Sequence, residues 1–513
     1  MKIIKSLLII YMCVCLCLSV ASCGKADFED AQIVFTTSES VSTFDPQFCS
    51  TPAENTIVTN AFEGLMTKNE KGEIVCGSAE SYTVSNNKKV YTFVVRDGLM
   101  WSDGETSVTA NDFLFGILRA LKPETKNKHA SSLFIIKNAE EYNKGNLDEK
   151  NLGLKVQGNS LTITLTEPND GLLEVLTKPI CMPCNEEFFN STGGRYGLSN
   201  KYIISNGAYS IDYYNTDTKT VVIQNNENYK GEYNGVARSV TVNYGEEYKD
   251  IFTAFETQGT DIANIECSYL KSLQEKEITT DLFYNETYCL YFSKTLVTDN
   301  GGDLKRALVN CINTETIKNN INDYYSTVGG IIPDINILNG KNYRDAVGSV
   351  TLPKYDVEKA QELLGNFDEA TKKLNGLAIY YPENDRRLSL ISNLIAQGWQ
   401  KDLNVFINSK SDTVENIKEK VKRGEVLIAM IPVSCENNDA IGSFNSLSEL
   451  KITSNANGVN EKELLAREQS LINNGVVYPV LGLPIVVSYT KNIAKLNVSK
   501  DGKVLDFRFV EKS

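Results

Sequence analysis

The sequence predicts an α/β protein of more than one lobe, built largely on parallel sheets. Three observations carry this reading. The chain has 513 residues, more than one ordinary hydrophobic core holds. Apolar residues make up 42% and charged residues 23%, the balance of a folded chain rather than a disordered one. A strand–helix–strand order then recurs, first in "VARSVTVNYGEEYKDIFTAFETQGTDIANI" and again in "LAIYYPENDRRLSLISNLIAQGWQKDLNVFI". Such alternation implies βαβ units.

The N-terminus reads as a leader rather than as fold. Lys2 and Lys5 precede the apolar run "LLIIYMCVCLCLSVA". A charged start followed by an apolar run of about 7–15 residues is a secretory signal. It is shorter than the roughly 20 residues that span a bilayer. Its ending, "VASC", resembles a bacterial lipobox, which makes residues 1–22 the signal and Cys23 the lipidated first residue. An ordinary signal with an incidental cysteine is the alternative.

Taken in order, "QIVFTTSE" alternates as a strand and "STFDP" turns the chain. "AENTIVTNAFEGLM" has helical spacing, and "YTVSNNKKVYTFVVRDGL" is a hairpin by its pattern. In "WSDGETSVTANDFLFGILRAL", Asp103 and Gly104 are turn residues, and Thr109 with Asp112 forms a variant capping box. Phe113, Leu114, Ile117, Leu118 and Leu121 make the apolar face that comes next. The acids lack the alternate spacing of a calcium loop, so the stretch is a strand-to-helix connection with Trp101 packed beside it. "LTITLTEP" is another strand, "SNGAYSIDYYNTDTKTVVIQNNENY" a hairpin, "DVEKAQELLGN" a short helix, and "VVYPVLGLPIVVSYT" and "VLDFRFV" close the chain as strands.

The chemistry of the chain is spare. Net charge is -13, which disfavours nucleic acid or an anionic membrane surface as partner. The single histidine, His129, leaves too few parts for a two-histidine zinc site or a Ser-His triad. Nucleotide, lipase and zincin motifs are absent. Paired acids at Glu140–Glu141, Glu186–Glu187 and Glu246–Glu247 lie in polar runs and read as solvated surface. "CMPC", Cys181 to Cys184, has no second pair and reads as small buried thiols. No metal, cofactor or catalytic centre is expected. An exported α/β chain without a catalytic set is what a binding protein would look like.

Taken together, "STFDP", "NAFEGL", "VYTFVVRDGLMWSDG", "TANDFLFGILRAL", "IKNAEEYNKG", "SNGAYSI", "NENY", "RALVNCINTETI", "IIP", "YDVEKAQELL" and the "IYY"-helix-"GW" block resemble bacterial extracellular solute-binding protein family 5 in content and order, from about Ile33 to about Val510. The resemblance implies a two-lobed periplasmic-binding-protein-like fold with mixed sheets, a hinge between the lobes and an extra domain on the larger one. Residues 23–64, 202–288 and 476–513 would form lobe I, 65–201 the extra domain and 289–475 the other lobe. It implies an oligopeptide receptor of an ABC importer, a monomer held by its lipid at the extracellular face of the cell membrane, or on its periplasmic side where the cell has an outer membrane, with the permease subunits as partners. Its implied cleft segments are "SESV" (Ser38, Glu39, Ser40, Val41) and "IPVSCENNDA" (Ile431 to Ala440). In peptide binders an aspartate of the second segment pairs with the ligand's α-ammonium. Here that position is Asn437, and Ser434 replaces a tryptophan, with Glu436 and Asp439 nearby to supply the charge. His129 lies where the family often has an aromatic near the cleft. A Cys289–Cys435 disulfide is likewise implied. The departures at Ser434 and Asn437 keep open a non-peptide ligand in the same fold (a modified peptide, sugar, metal chelate or haem); an exported enzyme or interaction protein is the remaining alternative.

Overall fold

The computed structural model describes residues 31–169, 171–296, 303–321, 325–326, 328–338, 341–364, 367–383, 386–434 and 439–513. Signal residues 1–22 and Cys23 lie outside them, as do Cys435, Glu436 and Asn437. The chain forms two compact units: up to Ala263 with Tyr489–Asn497 and Val504–Ser513, and Asn264–Ser488 with Val498–Lys503. This boundary falls before the 288 expected from the sequence.

In the first unit, β1 (Gln32–Thr36) lies between two parallel neighbours. Four-residue β4 (Leu154–Gln157) belongs to a separate antiparallel sheet, with β2 (Ala79–Val84), β3 (Val90–Val95) and β5 (Ser160–Thr164), in the order β2-β3-β5-β4. The chain returns through the antiparallel hairpin β6 (Tyr209–Asn215) and β7 (Thr220–Asn225) to β8 (Ser239–Asn243). There Gln32 faces Ser239 in parallel register. A helix then crosses over to the strand Ile262–Asn264, whose Ile262 faces Phe35 on the other side of β1. The sheets are therefore mixed rather than largely parallel, because the 209–225 hairpin adds antiparallel strands.

Local chemistry explains the helices. α1 (Pro52–Ala61) starts from Thr51, whose side chain caps the Glu54 N–H while Glu54 reaches back, a full capping box with proline in its first turn. α2 (Ala110–Leu121) starts from Thr109 with Asp112 in the reciprocal role. Its approach is the expected connection: Asp103 accepts from the N–H groups of Glu105 and Thr106 and from the Thr106 hydroxyl, closing the turn. Trp101 is fully buried, edge-on to Phe62.

The second unit is built on a five-stranded sheet. Its strands are β9 (Thr287–Phe292), β10 (Ala378–Pro382), β11 (Asn408–Asp412), β12 (Ile428–Val433) and β13 (Val477–Gly482), in the order β11-β10-β12-β9-β13. "TYCLYF" and "IAMIPV" are apolar throughout because both faces of the sheet are covered. Leu290, Phe292, Ile428 and Met430 enter one core with Trp399, whereas Cys289, Tyr291, Ala429 and Ile431 enter another with Phe444. α3 (Arg386–Leu403) joins the parallel pair β10–β11, as the strand–helix–strand pattern requires. The second strand, however, comes after the expected "DLNVFI". Asn404 takes a left-handed φ of 49° and the Phe406 N–H bonds to Asn375 Oδ1, so Val405 and Ile407 fill core while pairing starts at Asn408. α4 (Val414–Arg423), α5 (Ala440–Glu449) and α6 (Glu461–Asn473) complete the unit.

Candidate functional site

Ser38 to Val41 leave the end of β1 in the first unit. The Thr37 N–H bonds to Asn243 O, and its hydroxyl accepts the Glu39 N–H. Three donors then fix the segment's carbonyls: Gly245 N–H on Glu39 O at 2.7 Å, Thr51 Oγ1 on Ser40 O at 2.8 Å and the Tyr214 hydroxyl on Val41 O at 3.4 Å. Among the described residues the N–H groups of Ser38, Ser40 and Val41 make no hydrogen bond.

Glu54 holds the next residues, Ser42 and Thr43. Its Oε1 accepts the N–H and hydroxyl of Ser42 at 2.8 and 2.7 Å and the Thr43 N–H at 3.3 Å. Its Oε2 accepts the N–H groups of Ser50 and Thr51 at 2.8 and 3.1 Å. Burial works to raise the pKa of this fully buried acid, but the donors from Ser42, Ser50 and Thr51 outweigh it and hold the carboxyl below its ordinary value. The sequence reading missed Glu54, although Thr51-Pro52-Ala53-Glu54 carries the capping-box signature.

The next turn is tied by Arg119, whose guanidinium meets Asp45 at 2.5 Å and Gln47 at 2.7 Å beneath the Phe189 and Tyr196 rings. The same guanidinium lies 3.2 Å from Cys184 Sγ. Cys181 and Cys184 are buried free thiols, and desolvation pushes them up to about 12 and about 11, so they stay protonated and inert. His129 stands apart from Ser38–Val41 in the same unit. Its N–H bonds to Asn127 Oδ1, and Asn127 donates to Gln47 O at 2.8 Å.

In the second unit, β12 ends at Val433, opposite Thr287. Ser434 Oγ donates to Glu286 Oε1 at 3.3 Å, and the same carboxylate takes Lys503 Nζ at 2.8 Å and the Tyr288 hydroxyl at 3.3 Å. Burial acts to raise Glu286, but the positive charges of Lys503 and Lys418 and these hydrogen bonds hold it below its ordinary value. The sequence reading missed Glu286 and Lys503, which are 217 positions apart.

Asp439 is the N-cap of α5, its two oxygens accepting the Ile441 and Gly442 N–H groups at 3.2 and 2.8 Å. Buried Asn336 donates to Asp439 O at 3.3 Å and to Ser443 Oγ at 2.6 Å. The chain before Asn336 is itself pinned by Glu468, which accepts the Ile331 and Ile332 N–H groups and both ends of the Arg344 guanidinium.

Cys289 stands as a buried free thiol, its Sγ 3.7 Å from Thr287 O, opposite Ile431 in the sheet, and its side chain enters the apolar core under β9. Cys435, the partner that the resemblance implies for it, lies outside the described residues. Ser434 and Asp439 thus flank the segment, while Ser38 to Val41 and His129 belong to the other unit.

The family model "Bacterial extracellular solute-binding proteins, family 5 Middle" matches residues 73–454. The Bacillus subtilis dipeptide-binding protein DppE is 24% identical over 399 residues, which is 75% of this chain and 70% of that one. A Lactococcus lactis dipeptide-binding protein is 27% identical over 189 residues, 37% of this chain and 34% of its own length. The chain spans only about a third of several such relatives. Listeria monocytogenes OppA bound to peptide superposes with a TM-score of 0.78 at 18% identity, over 94% of this chain and 99% of that one.

Proposed function

Because the chain belongs to the bacterial extracellular solute-binding proteins of family 5, we propose that it captures oligopeptides by lobe closure and delivers them to the permease subunits of an ABC transporter. In this reading it is a monomer anchored by lipid at Cys23 on the outer face of the cell membrane, and it is not an enzyme. The Bacillus subtilis and Lactococcus lactis relatives are binding proteins by name.

The observation that carries the peptide reading is the backbone of "SESV". The carbonyls of Glu39, Ser40 and Val41 are tied down, while the N–H groups of Ser38, Ser40 and Val41 have no partner among the described residues. A fixed run of donors suits an extended peptide that adds as a strand, and a ligand sealed from water needs its own peptide groups paired. Ser434, Glu436, Asn437 and Asp439 form the opposing segment in this proposal, with His129 at its margin. Glu39, Glu436 and Asp439 are the candidate partners for a ligand α-ammonium in this reading, the oxygens of Asp439 also serving a helix N-terminus.

Mass spectrometry of the ligand that co-purifies with the protein tests the reading. Peptides of a few residues are expected. A sugar, haem or metal chelate in their place would favour the second reading, a non-peptide ligand in the same fold, to which the uncharged Ser434 and Asn437 point.

A further inference from the structure

We infer that Asn457 is a site of spontaneous covalent modification, at which the side-chain amide is lost by cyclisation onto the backbone nitrogen of Gly458. The inference is independent of the ligand reading. In the first step the Gly458 nitrogen bonds to Asn457 Cγ, the Cγ–Nδ2 bond breaks, and Nδ2 leaves as ammonia with the proton that Gly458 gives up. The product is a cyclic imide. Water then opens the ring at either carbonyl. One opening gives aspartate, and the other gives isoaspartate, with an extra methylene in the main chain. Water is the only co-reactant.

Five Asn-Gly steps lie among the described residues, and their surroundings differ. At three of them the glycine N–H that must attack is already engaged: Gly207 on Ala61 O at 2.8 Å, Gly376 on Phe406 O at 3.0 Å and Gly475 on Ile472 O at 2.9 Å. Asn206 is also buried, with its Nδ2 on Glu63 O at 2.9 Å. At Asn234–Gly235 the glycine is wedged against Tyr209 and Asn225, where a Cβ would meet a Tyr209 ring carbon at 2.4 Å, so the main chain has no room to turn.

Asn457–Gly458 differs from all four. Both residues are exposed, and the Gly458 N–H has no partner among the described residues. Gly458 takes a φ of +72°, with open space where a Cβ would stand, a freedom that glycine brings. Val459 N–H on Ala456 O at 3.1 Å closes the turn and has to open for attack. Asn445 meanwhile holds the reacting amide. Its Oδ1 accepts the Ala456 N–H at 2.8 Å, which fixes which end of its amide is the NH2, and its Nδ2 donates to Asn457 Oδ1 at 2.8 Å. A donor on that oxygen stabilises the charge it gathers as Cγ is attacked. Conversion places a negative charge, or an extra methylene, between buried Ala456 and Asn460, the N-cap of α6.

The test incubates the purified full chain in mildly alkaline buffer made with heavy-oxygen water, which marks conversion during the incubation, and follows each Asn-Gly step by peptide mass spectrometry. A parallel sample is unfolded in urea. In the folded chain Asn457 is expected to convert about tenfold faster than Asn206, Asn375 and Asn474, the factor that one hydrogen bond of roughly 1.4 kcal/mol confers, and faster than Asn234. In urea the rates should converge. Conversion at Asn457 no faster than at the three bonded steps overturns the inference. So does the same ranking in urea, which would assign the difference to neighbouring residue types rather than to the fold.

Discussion

Replacing Glu54 by glutamine swaps one carboxylate oxygen for an NH2 group and leaves the volume unchanged. The amide has one acceptor. If its oxygen stays with Ser42 and Thr43, its nitrogen faces the N–H groups of Ser50 and Thr51, which sit 2.8 and 3.1 Å from the present Oε2. Two donors, on exposed Ser50 and half-buried Thr51, then lose their acceptor; at about 0.5–1.5 kcal/mol for each hydrogen bond lost, the change destabilises this part of the first unit by about 1–3 kcal/mol. The reverse flip strands three donors instead of two. A protein of two units need not unfold in one step, so hydrogen exchange at Ser42, Thr43, Ser50 and Thr51 is the appropriate assay, with urea unfolding beside it. The effect depends on pH in a defined sense. The carboxyl is held below its ordinary value when folded, so its contribution is fully present above the unfolded value of about 4.3 and is lost as pH falls through the folded value. The gap between wild type and Glu54→Gln is therefore widest near neutrality and narrows in acid. A gap under about 0.5 kcal/mol at pH 7, the level of an ordinary surface change, or one that stays constant into acid, would refute the reasoning.

Other outcomes rest on the same groups. Neutralising whichever of Glu39, Glu436 and Asp439 meets the ligand ammonium is expected to weaken free-amine peptides by roughly 2–5 kcal/mol and N-acetylated ones much less. Calorimetry with matched pairs checks this, and equal affinity of the wild type for both forms would retire amine capture. The N-terminal mass is expected to show a lipidated Cys23, and Cys23→Ser should release the protein from membranes; a mature chain beginning elsewhere would count against the anchor. Alkylation of the denatured, unreduced chain is expected to label Cys289, whereas a Cys289–Cys435 cross-linked peptide would establish the bridge. Lys503→Met leaves Glu286 without its close cation, so the Glu286 carboxyl is expected to titrate at higher pH than in the wild type, which NMR would follow.

How far the fold could be read from sequence depends on the range of the interactions involved. The "WSDGET" turn and the Thr109–Asp112 box form within a few residues, so residue type alone announces them. Glu54 was half legible: its reach to Thr51 is local, but its grip on Ser42 and Thr43 depends on how the intervening loop folds back. Asp439 carries a second, local role. It was read for its charge, yet an aspartate before a helical run is a cap by position, and the cap is what forms. The start of β11 was misplaced because "NVFI" has strand character by composition, although Asn404, a residue type that readily takes a left-handed φ at a helix end, is the local signal that pairing is delayed. The Glu286–Lys503 pair had no legible signal at all, since the segment Val498–Lys503 joins the second unit only through the folded topology.

The first unit thus orders its candidate segment, and the second unit the Asp439 end of its own, before any ligand arrives, in each case with acids taken out of bulk solvent. In the first unit Glu54 gathers five donors behind "SESV". In the second, Glu468 pins the Ile331–Ile332 backbone, and Asn336, further along that stretch, holds the Asp439 cap. Ordering a residue's backbone costs about 1–2 kcal/mol, so Ser38 to Val41 together represent about 4–8 kcal/mol that folding supplies and the ligand does not. A peptide binding by backbone contacts gains little from any one side chain, and its affinity depends on how little ordering it must bring about itself. The inward placement of these acids therefore bears on binding as much as on stability: an acid that loses its donors would free the segment and weaken every peptide by a similar factor, whatever its sequence. An acid that meets the ligand directly would instead discriminate between peptides. Glu54→Gln and Glu39→Gln, measured against the same peptide set, separate the two roles, with a uniform loss expected for the first and a loss confined to free-amine peptides for the second if Glu39 is the ammonium partner.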